Sequence, residues 1–170
     1  NKIREYVTIN PGTVGGGGKT IIGNNCLFMI SSHIAHDCQV GNNVIIANNV
    51  PLGGHAIIED NVVIGGNSAV QQFTRIGKMA MIGGMTGVDK DVLPFTLIKG
   101  NRSYFENINL IGLKRKGFKN LEIENYKKTI INFDPFLFEK TTGFNVENKE
   151  LIKILEKLGF NVSKNKKILK

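Results

Sequence analysis

The three histidines of this chain, His33, His36 and His55, are its side chains best suited to acid–base chemistry. An imidazole can take a proton near neutral pH, and the carboxylate of Asp37, directly after His36, could fix the tautomer of such a ring. Gly54 precedes His55, and a residue without a Cβ lets a backbone N–H come close to a developing oxyanion. These residue types predict a site for general-base catalysis with stabilisation of an anion.

A six-residue repeat determines where those residues stand in the fold. A large apolar residue recurs at every sixth position. Four positions after each of them comes a small or β-branched residue, and these form a second series from Cys26 to Val92. A period of six fits neither one amphipathic helix nor one flat strand, and two inward residues per six indicate short strands joined by bends. This is the signature of a hexapeptide β-helix, in which each hexad forms one face of a three-sided prism. The large apolar residues are Ile22, Phe28, Ile34, Val40, Ile46, Leu52, Ile58, Ile64, Val70, Ile76, Ile82 and Val88.

We expect a mainly β chain with two parts. Residues 1–100 are predicted to form a left-handed parallel β-helix with a loop at 10–20, and residues 101–170 a small C-terminal α-helical domain. Three stretches of the second part have helical patterns, at 104–116, 120–133 and 148–158. Because the repeat begins in mid-pattern, without the atypical capping coil of a complete solenoid, we expect further N-terminal coils before residue 1.

Stacking of the coils is predicted to bring the candidate residues together. With three hexads per coil, residues eighteen apart lie on neighbouring coils, so Gly54 falls over His36 and His55 over Asp37. No histidine occupies an inward position of the repeat, so we expect His33, His36 and His55 outside the core. Bends through strained backbone angles are expected at the glycines that follow a large apolar residue: Gly23, Gly41, Gly53, Gly65, Gly77 and Gly83.

Residues 10–20 interrupt the repeat and must loop out of the stack. Gly18-Lys19-Thr20 is similar to the end of a phosphate-binding P-loop. That motif requires a glycine where Thr13 stands, and a helix after Thr20. We therefore expect a flexible loop that lines a site.

A metal centre is an alternative use of the same histidines. His33-x-x-His36 together with His55 would supply three nitrogen ligands of the kind that zinc prefers. Trimeric zinc carbonic anhydrases of similar architecture use three histidines across a subunit boundary, but with a His-x4-His spacing that is absent here. We expect no resident metal.

The net charge of +8 resides in the C-terminal part of the chain. Residues 1–98 contain six Lys or Arg and six Asp or Glu, whereas residues 99–170 contain sixteen and eight. Such an excess is compatible with three acidic partners: nucleic acid, an anionic membrane surface or an acidic carrier protein. It is equally compatible with a charged helical face that only contacts water.

The cysteines and the hydropathy restrict the compartment. Cys26 and Cys38 fall in the small-residue series and neither belongs to a CxxC pair, so we expect two core thiols and no zinc or redox motif. No signal-like start is present, and no apolar stretch approaches the ~20 residues that span a bilayer. We expect a cytoplasmic protein without an integral membrane segment.

Several motifs together resemble one enzyme family. HIAHDC at 33–38, ANN at 47–49, GGH at 53–55, VQQF at 70–73 and GLKRKGF at 112–118 are similar to the acyl-carrier-protein-dependent UDP-N-acetylglucosamine O-acyltransferases of lipid A biosynthesis. The similarity starts at residue 1 and continues in register to the beginning of the helical tail. From residue 121 onward it is weak.

The resemblance implies transfer of an R-3-hydroxyacyl chain from acyl carrier protein to the glucosamine 3-hydroxyl of UDP-N-acetylglucosamine. It implies a homotrimer with sites between subunits and no cofactor beyond the phosphopantetheine thioester of the donor. Nucleic acid is not among the partners that it implies. His36 would be the general base, Asp37 would orient it, and the Gly54 N–H would stabilise the oxyanion.

The resemblance also implies binding residues. His33, His55 and Gln72 would contact the nucleotide sugar. A second group would bind phosphates or the phosphopantetheine of the carrier: Asn109, Arg115 and Lys116. Gly84 matches the residue that limits acyl length in the family, and its small size suggests a longer chain.

Other activities stay open at this point. The closest alternative is the related N-acyltransferase that acts on a 3-acylated UDP-glucosamine. A trimeric zinc enzyme of the carbonic anhydrase type is another, and a passive trimerisation module is a third.

Overall fold

The computed structural model describes residues 1–131, and the third predicted helix at 148–158 and the last two residues of the second lie outside them. Within the described residues, fourteen two-residue strands follow one another at almost constant intervals. They are β1 (Lys2–Ile3), β2 (Thr8–Ile9), β3 (Ile21–Ile22), β4 (Leu27–Phe28), β5 (His33–Ile34), β6 (Gln39–Val40), β7 (Ile45–Ile46), β8 (Pro51–Leu52), β9 (Ile57–Ile58), β10 (Val63–Ile64), β11 (Ala69–Val70), β12 (Arg75–Ile76), β13 (Met81–Ile82) and β14 (Gly87–Val88).

Three parallel sheets form the faces of a left-handed prism, which confirms the predicted β-helix. Face 1 contains β1, β4, β7, β10 and β13, face 2 contains β2, β5, β8, β11 and β14, and face 3 contains β3, β6, β9 and β12. Pairing joins residues eighteen apart, such as His33 with Pro51. In the first coil the offset is twenty-five, because Ile9 pairs with Ile34 across the loop at 10–20.

Both inward series of the repeat lie in one continuous core. The large residues from Phe28 to Val88 are almost completely buried, and so are Cys26 and Cys38, whose thiols are free. Each two-residue strand is too short to be stable alone, so the stack depends on inter-coil hydrogen bonds and on this shared apolar core.

The corners of the prism contain residues with positive φ. The first corner, before face 1, has Asn25, Asn43, Asn61 and Met79 in this conformation; the second, before face 2, has Ser31, Asn49, Asn67 and Met85; the third, before face 3, has Asp37, His55 and Phe73. Asparagine and aspartate tolerate left-handed angles better than other residues with a Cβ. The third corner alone places a carboxylate and an imidazole at these positions.

The prediction of strained angles at the repeat glycines is wrong. None of the six has a positive φ. They are small because of the next coil: a Cβ on Gly53 would lie 2.5 Å from Gln72 N, and one on Gly65 would lie 2.5 Å from Gly84 N. Close approach between coils, rather than backbone freedom, therefore requires glycine there.

An antiparallel hairpin closes the described part of the stack. β15 (Thr96–Lys99) continues face 1 beside β13, and β16 (Tyr104–Ile108) pairs with it in the opposite direction. The prediction of a helix over 104–116 is therefore wrong for its first residues. They form β16 instead, because β16 pairs with the edge of β15 that would otherwise be free. Helix α1 (Leu110–Arg115) follows, and the Asn109 side chain caps it by accepting a hydrogen bond from Gly112 N.

The chain divides into two compact units, Asn1–Phe118 and Lys119–Lys170, whereas the sequence suggested 1–100 and 101–170. β16 and α1 belong to the first unit. The described portion of the second unit contains helix α2 (Asn120–Ile131), as predicted for that stretch. No helix of residues 1–131 is long and apolar enough to cross a membrane.

Candidate functional site

Two histidines and one carboxylate meet at the third corner. His36 Nδ1 lies 2.9 Å from Asp37 Oδ2, and His55 Nε2 lies 3.9 Å from the same oxygen. The two imidazole rings make an edge-to-face contact with centroids 5.2 Å apart. A backbone hydrogen bond from His55 N to His36 O fixes the two coils in register, so the stacking predicted from the repeat is present.

The Asp37 carboxylate is buried and ionised. Hydrogen bonds, first from the Thr13 hydroxyl and then from His36 and the Thr13 N–H, lower the pKa of Asp37 to about 2, although its burial raises it. A carboxylate only accepts hydrogen bonds, so His36 Nδ1 carries the proton of that contact. Nε2 of the neutral ring is then left with a lone pair, as a general base requires.

Gly54 lies against the His36 ring, as the stacking predicts. A Cβ at this position would come within 2.7 Å of His36 Cε1 and 2.8 Å of Nε2, so a side chain would collide with the ring. The Gly54 carbonyl accepts a hydrogen bond from Phe73 N, whereas its N–H donates to none of the described residues. An N–H available beside a basic nitrogen is the arrangement that an oxyanion site needs.

His33 and Gln72 lie on elements next to this corner. His33 belongs to β5 on face 2, and its Nδ1 lies 2.7 Å from Thr8 Oγ1. Gln72 stands one coil beyond Gly54, and its neighbour Phe73 stacks on the His55 ring with centroids 4.5 Å apart. His33 therefore lies on the strand that leads into the third corner, and Gln72 lies at that corner two coils beyond His36.

The metal set suggested by the sequence is not the one that the fold assembles. Within the described part of the chain, ligand atoms of His36, Asp37 and His55 lie within 4.8 Å of one another, and His33 is outside this group. The carboxylate already accepts bonds from Thr13 N, Thr13 Oγ1 and His36. A cation at Asp37 would have to compete with those donors.

The predicted phosphate-binding residues lie elsewhere in the chain. Asn109, Arg115 and Lys116 line a groove of about 690 Å³ whose apolar wall belongs to face 1, with Leu27, Ile45 and Val63. None of the third-corner residues His36, Asp37 or His55 is part of its lining. One chain therefore carries the predicted base and the predicted phosphate contacts on different parts of the prism.

The side chain of Asn109 is already engaged at both ends. Its Oδ1 accepts from Gly112 N at 3.0 Å and its Nδ2 donates to Met79 O at 2.8 Å. These bonds join α1 to the first corner. Each of the two atoms keeps one further hydrogen-bonding position, and Arg115 is exposed at the end of α1.

Gly84 lies at the second corner, away from the histidines. A Cβ there would meet Gly66 O at 3.3 Å, and Gly84 is exposed. Both residues lack side chains, so this stretch of the corner is open toward solvent.

Sequence reasoning missed two residues of the loop at 10–20. Thr13 holds the Asp37 carboxylate, and Thr20 Oγ1 accepts a hydrogen bond from Asp37 N at 2.9 Å. The interruption of the repeat was the signal that could have pointed to them. The pairing itself depends on how the loop folds back, which the spacing does not give.

Comparisons with known proteins agree with the architecture and with the motifs. A family model described as bacterial transferase hexapeptide (six repeats) matches residues 19–54, and one described as domain 2 of UDP N-acetylglucosamine O-acyltransferase matches 91–133. An acyl-[acyl-carrier-protein]–UDP-N-acetylglucosamine O-acyltransferase of Paracoccus denitrificans is 48% identical over 160 residues, covering 94% of this chain and 61% of that protein.

Solved structures give the same result. UDP-N-acetylglucosamine acyltransferase from Campylobacter jejuni is 39% identical with a TM-score of 0.76, over 91% of this chain and 57% of that one. The Arabidopsis enzyme is 37% identical with a TM-score of 0.76, over 91% and 52%. The chain spans about half the length of the curated relatives that it matches.

Proposed function

We propose that this chain, which belongs to the UDP-N-acetylglucosamine O-acyltransferase family, transfers an R-3-hydroxyacyl group from acyl carrier protein to the 3-hydroxyl of UDP-N-acetylglucosamine. The observation that supports this most is the third corner, where an ionised Asp37 orients His36 directly beside Gly54. That arrangement suits acyl transfer to a hydroxyl.

The geometry supports a two-step mechanism. His36 Nε2 takes the proton of the sugar 3-hydroxyl as its oxygen attacks the thioester carbon, and the carbonyl oxygen becomes an oxyanion near the Gly54 N–H. The tetrahedral intermediate then collapses with cleavage of the C–S bond. The His36 imidazolium returns its proton to the departing phosphopantetheine sulfur, which leaves an ester and a free thiol.

Asp37 stabilises the imidazolium without exchanging a proton. Its pKa of about 2 lies far below that of an imidazole, so the proton stays on the ring. His55 packs beside His36 and would contact the nucleotide sugar, together with His33 on the preceding strand and Gln72 on a neighbouring coil. Arg115 and Lys116 would bind its phosphates or those of the carrier, Arg115 through a planar fork that suits phosphate.

The separation of the two groups of residues favours a site shared between chains. His36, the proposed base, lies at the third corner. The groove lined by Arg115 and Lys116, here called the basic groove, lies along face 1 of the same chain. A homotrimer, as in the prediction from the resemblance, would bring one corner beside a neighbour's groove. The proposal has three further parts. The donor is acyl carrier protein, the location is the cytoplasm, and the small residue Gly84 permits a longer acyl chain.

Transfer from hydroxyacyl carrier protein to UDP-N-acetylglucosamine tests the proposal. His36→Ala is expected to lower kcat by about 10²–10⁴, the usual contribution of a general base. Gln39→Ala, an exposed outward residue of face 3, is the control and should leave kcat unchanged. Wild-type transfer by His36→Ala would contradict the mechanism.

Two other outcomes identify the alternatives. A free-amine acceptor that outperforms UDP-N-acetylglucosamine would identify the related N-acyltransferase activity. Stoichiometric zinc that His55→Ala removes would identify a metal enzyme built on the His36, Asp37 and His55 group.

A further inference from the structure

The loop at 10–20 is attached to the carboxylate of the third corner. Thr13 N lies 3.0 Å from Asp37 Oδ1 and 3.1 Å from Oδ2, and Thr13 Oγ1 lies 2.7 Å from Oδ2. A second loop residue, Thr20, accepts the Asp37 N–H through Oγ1 at 2.9 Å. Two threonines from the two ends of the loop thus bind one aspartate.

Gly16 packs directly against the Asp37 carboxyl group. A Cβ at Gly16 would overlap the Asp37 carboxyl group, so the loop backbone lies directly on it. As a result the Asp37 side chain is only 1% exposed, whereas the side chain of His36 is 41% exposed. The orientation of the carboxylate is therefore set by the loop and not by solvent.

That orientation matters because two imidazoles compete for the same oxygen. Asp37 Oδ2 is 2.9 Å from His36 Nδ1 and 3.9 Å from His55 Nε2. A rotation of the carboxylate would exchange a hydrogen bond to one ring for a hydrogen bond to the other. With both oxygens bound by Thr13, only His36 is within hydrogen-bond distance.

We propose that Thr13 is a positioning residue, whose hydroxyl and N–H hold the Asp37 carboxylate so that it orients His36 rather than His55. The effect on acyl transfer rests on the function proposed above; the effect on the carboxylate and on the rings does not. The lowered pKa of Asp37, to which the Thr13 hydroxyl contributes most, agrees with this contact. The titratable groups around Asp37 are His36, His55 and the Cys38 thiol.

Thr13→Val tests the proposal, because it removes the hydroxyl and keeps the shape and the N–H. Thr13→Ser restores the hydroxyl. Thr96→Val is the matched control, since it removes a hydroxyl that donates to the Leu93 carbonyl at the end of the stack. Gly16→Ala is a second variant, which keeps the Thr13 side chain and places a methyl against the Asp37 carboxyl group.

The first measurement is an NMR titration of the Asp37 carboxyl carbon and the histidine ring nitrogens in the folded chain. Thr13→Val is expected to raise the pKa of Asp37 by at least about one unit. It should also weaken the hydrogen bond that His36 Nδ1–H donates to Asp37. Thr13→Ser and Thr96→Val should match the wild type. Thermal melting establishes that each variant is folded; should Thr13→Val not fold, Thr13→Ala removes the same hydroxyl.

The second measurement is acyl transfer. Thr13→Val is expected to lower kcat about tenfold while KM for UDP-N-acetylglucosamine stays within about twofold, because the substrate contacts are intact. Thr13→Ser should restore kcat.

The proposal would be overturned if a folded variant without the Thr13 hydroxyl left the Asp37 and His36 titrations as in the control, whatever the effect of Gly16→Ala. Altered titrations in a chain whose wild type shows no transfer would support the positioning role and reject the proposed function.

Discussion

At the scale of single residues, two glycines show how the third corner differs from the second. Gly54 and Gly66 occupy the same place in the hexad, one position before a residue with positive φ. At Gly66 a Cβ would make an ordinary contact, with Asn48 O at 3.4 Å, whereas at Gly54 it would strike the His36 ring. The same glycine is therefore replaceable at one corner and tied to the proposed chemistry at another.

Substitution of these two glycines separates the site from the fold. Gly54→Ala keeps the backbone N–H but places a methyl against the His36 ring, so it is expected to lower kcat for acyl transfer by about 10²–10⁴, as loss of a general base does. Gly66→Ala should retain the wild-type rate. Steady-state rates with melting temperatures provide the check, and equal rates for the two variants would exclude a close contact between Gly54 and the base.

The Asp37 carboxylate should make stability depend on acid pH. Because folding lowers the pKa of Asp37 from 3.8 to about 2, its contribution is fully present above the first value and is lost as the pH falls through the second. Urea unfolding at about pH 6 and about pH 2.5 should show the advantage of wild type over Asp37→Asn shrinking at the lower pH.

Asp91 provides a control of opposite sign. Burial raises the pKa of Asp91, so its ionised form is disfavoured in the folded chain. The stability of wild type relative to Asp91→Asn should therefore rise as the pH falls. A pH-independent difference between wild type and Asp37→Asn would contradict the contacts with Thr13 and His36.

At the scale of elements, each hexad contributes one large and one small inward residue, and polar members of the small series must find partners. Ser68 Oγ donates to Gly83 O at 2.9 Å and accepts from Thr86 N. Ser32 occupies the same series and is equally buried, yet its hydroxyl has no hydrogen-bond partner among residues 1–131. The same residue type should therefore have opposite effects at the two positions.

Alanine substitution is expected to reveal that difference. Ser32→Ala removes a hydroxyl without a hydrogen-bond partner and should raise the free energy of unfolding by about 1 kcal/mol. Ser68→Ala removes a hydroxyl that makes two hydrogen bonds and should lower the free energy of unfolding by about 1 kcal/mol. Urea denaturation of the two variants and the wild type measures both changes. Destabilisation by Ser32→Ala would mean that its hydroxyl has a bound partner.

At the scale of the whole molecule, the separation between the third corner and the basic groove determines what one chain can do. His36, Asp37 and His55 belong to one corner, whereas Arg115 and Lys116 face the apolar residues of face 1. Under the proposed function, a complete site then takes its base from one subunit and its phosphate contacts from the next.

Mixing of inactive variants tests such sharing. His36→Ala and Arg115→Ala should each lose most of the transfer rate, and a 1:1 mixture refolded together should recover about a quarter of the wild-type rate through mixed trimers. His36→Ala mixed with His55→Ala is the control, because both lesions fall on the same corner. Recovery no greater than in that control would place the whole site in one chain.

The repeat was enough to predict the prism and the proximity of His36 to Gly54, because a stack with a fixed period turns sequence distance into spatial distance. It was not enough where the period fails. The start of the helix predicted over 104–116 is strand β16, since the open edge of β15 required a partner, and the repeat glycines serve contact between coils rather than strained angles.

The sequence by itself therefore determined the architecture, the buried series and the group of candidate residues at the third corner. Only the tertiary structure decided that Thr13 and Gly16 enclose Asp37, that Asp37 contacts His36 more closely than His55, and that Arg115 lies along another face. The reason is physical: periodic contacts follow from local spacing, whereas the course of an irregular loop and the orientation of one carboxylate depend on hydrogen bonds between residues with no fixed separation.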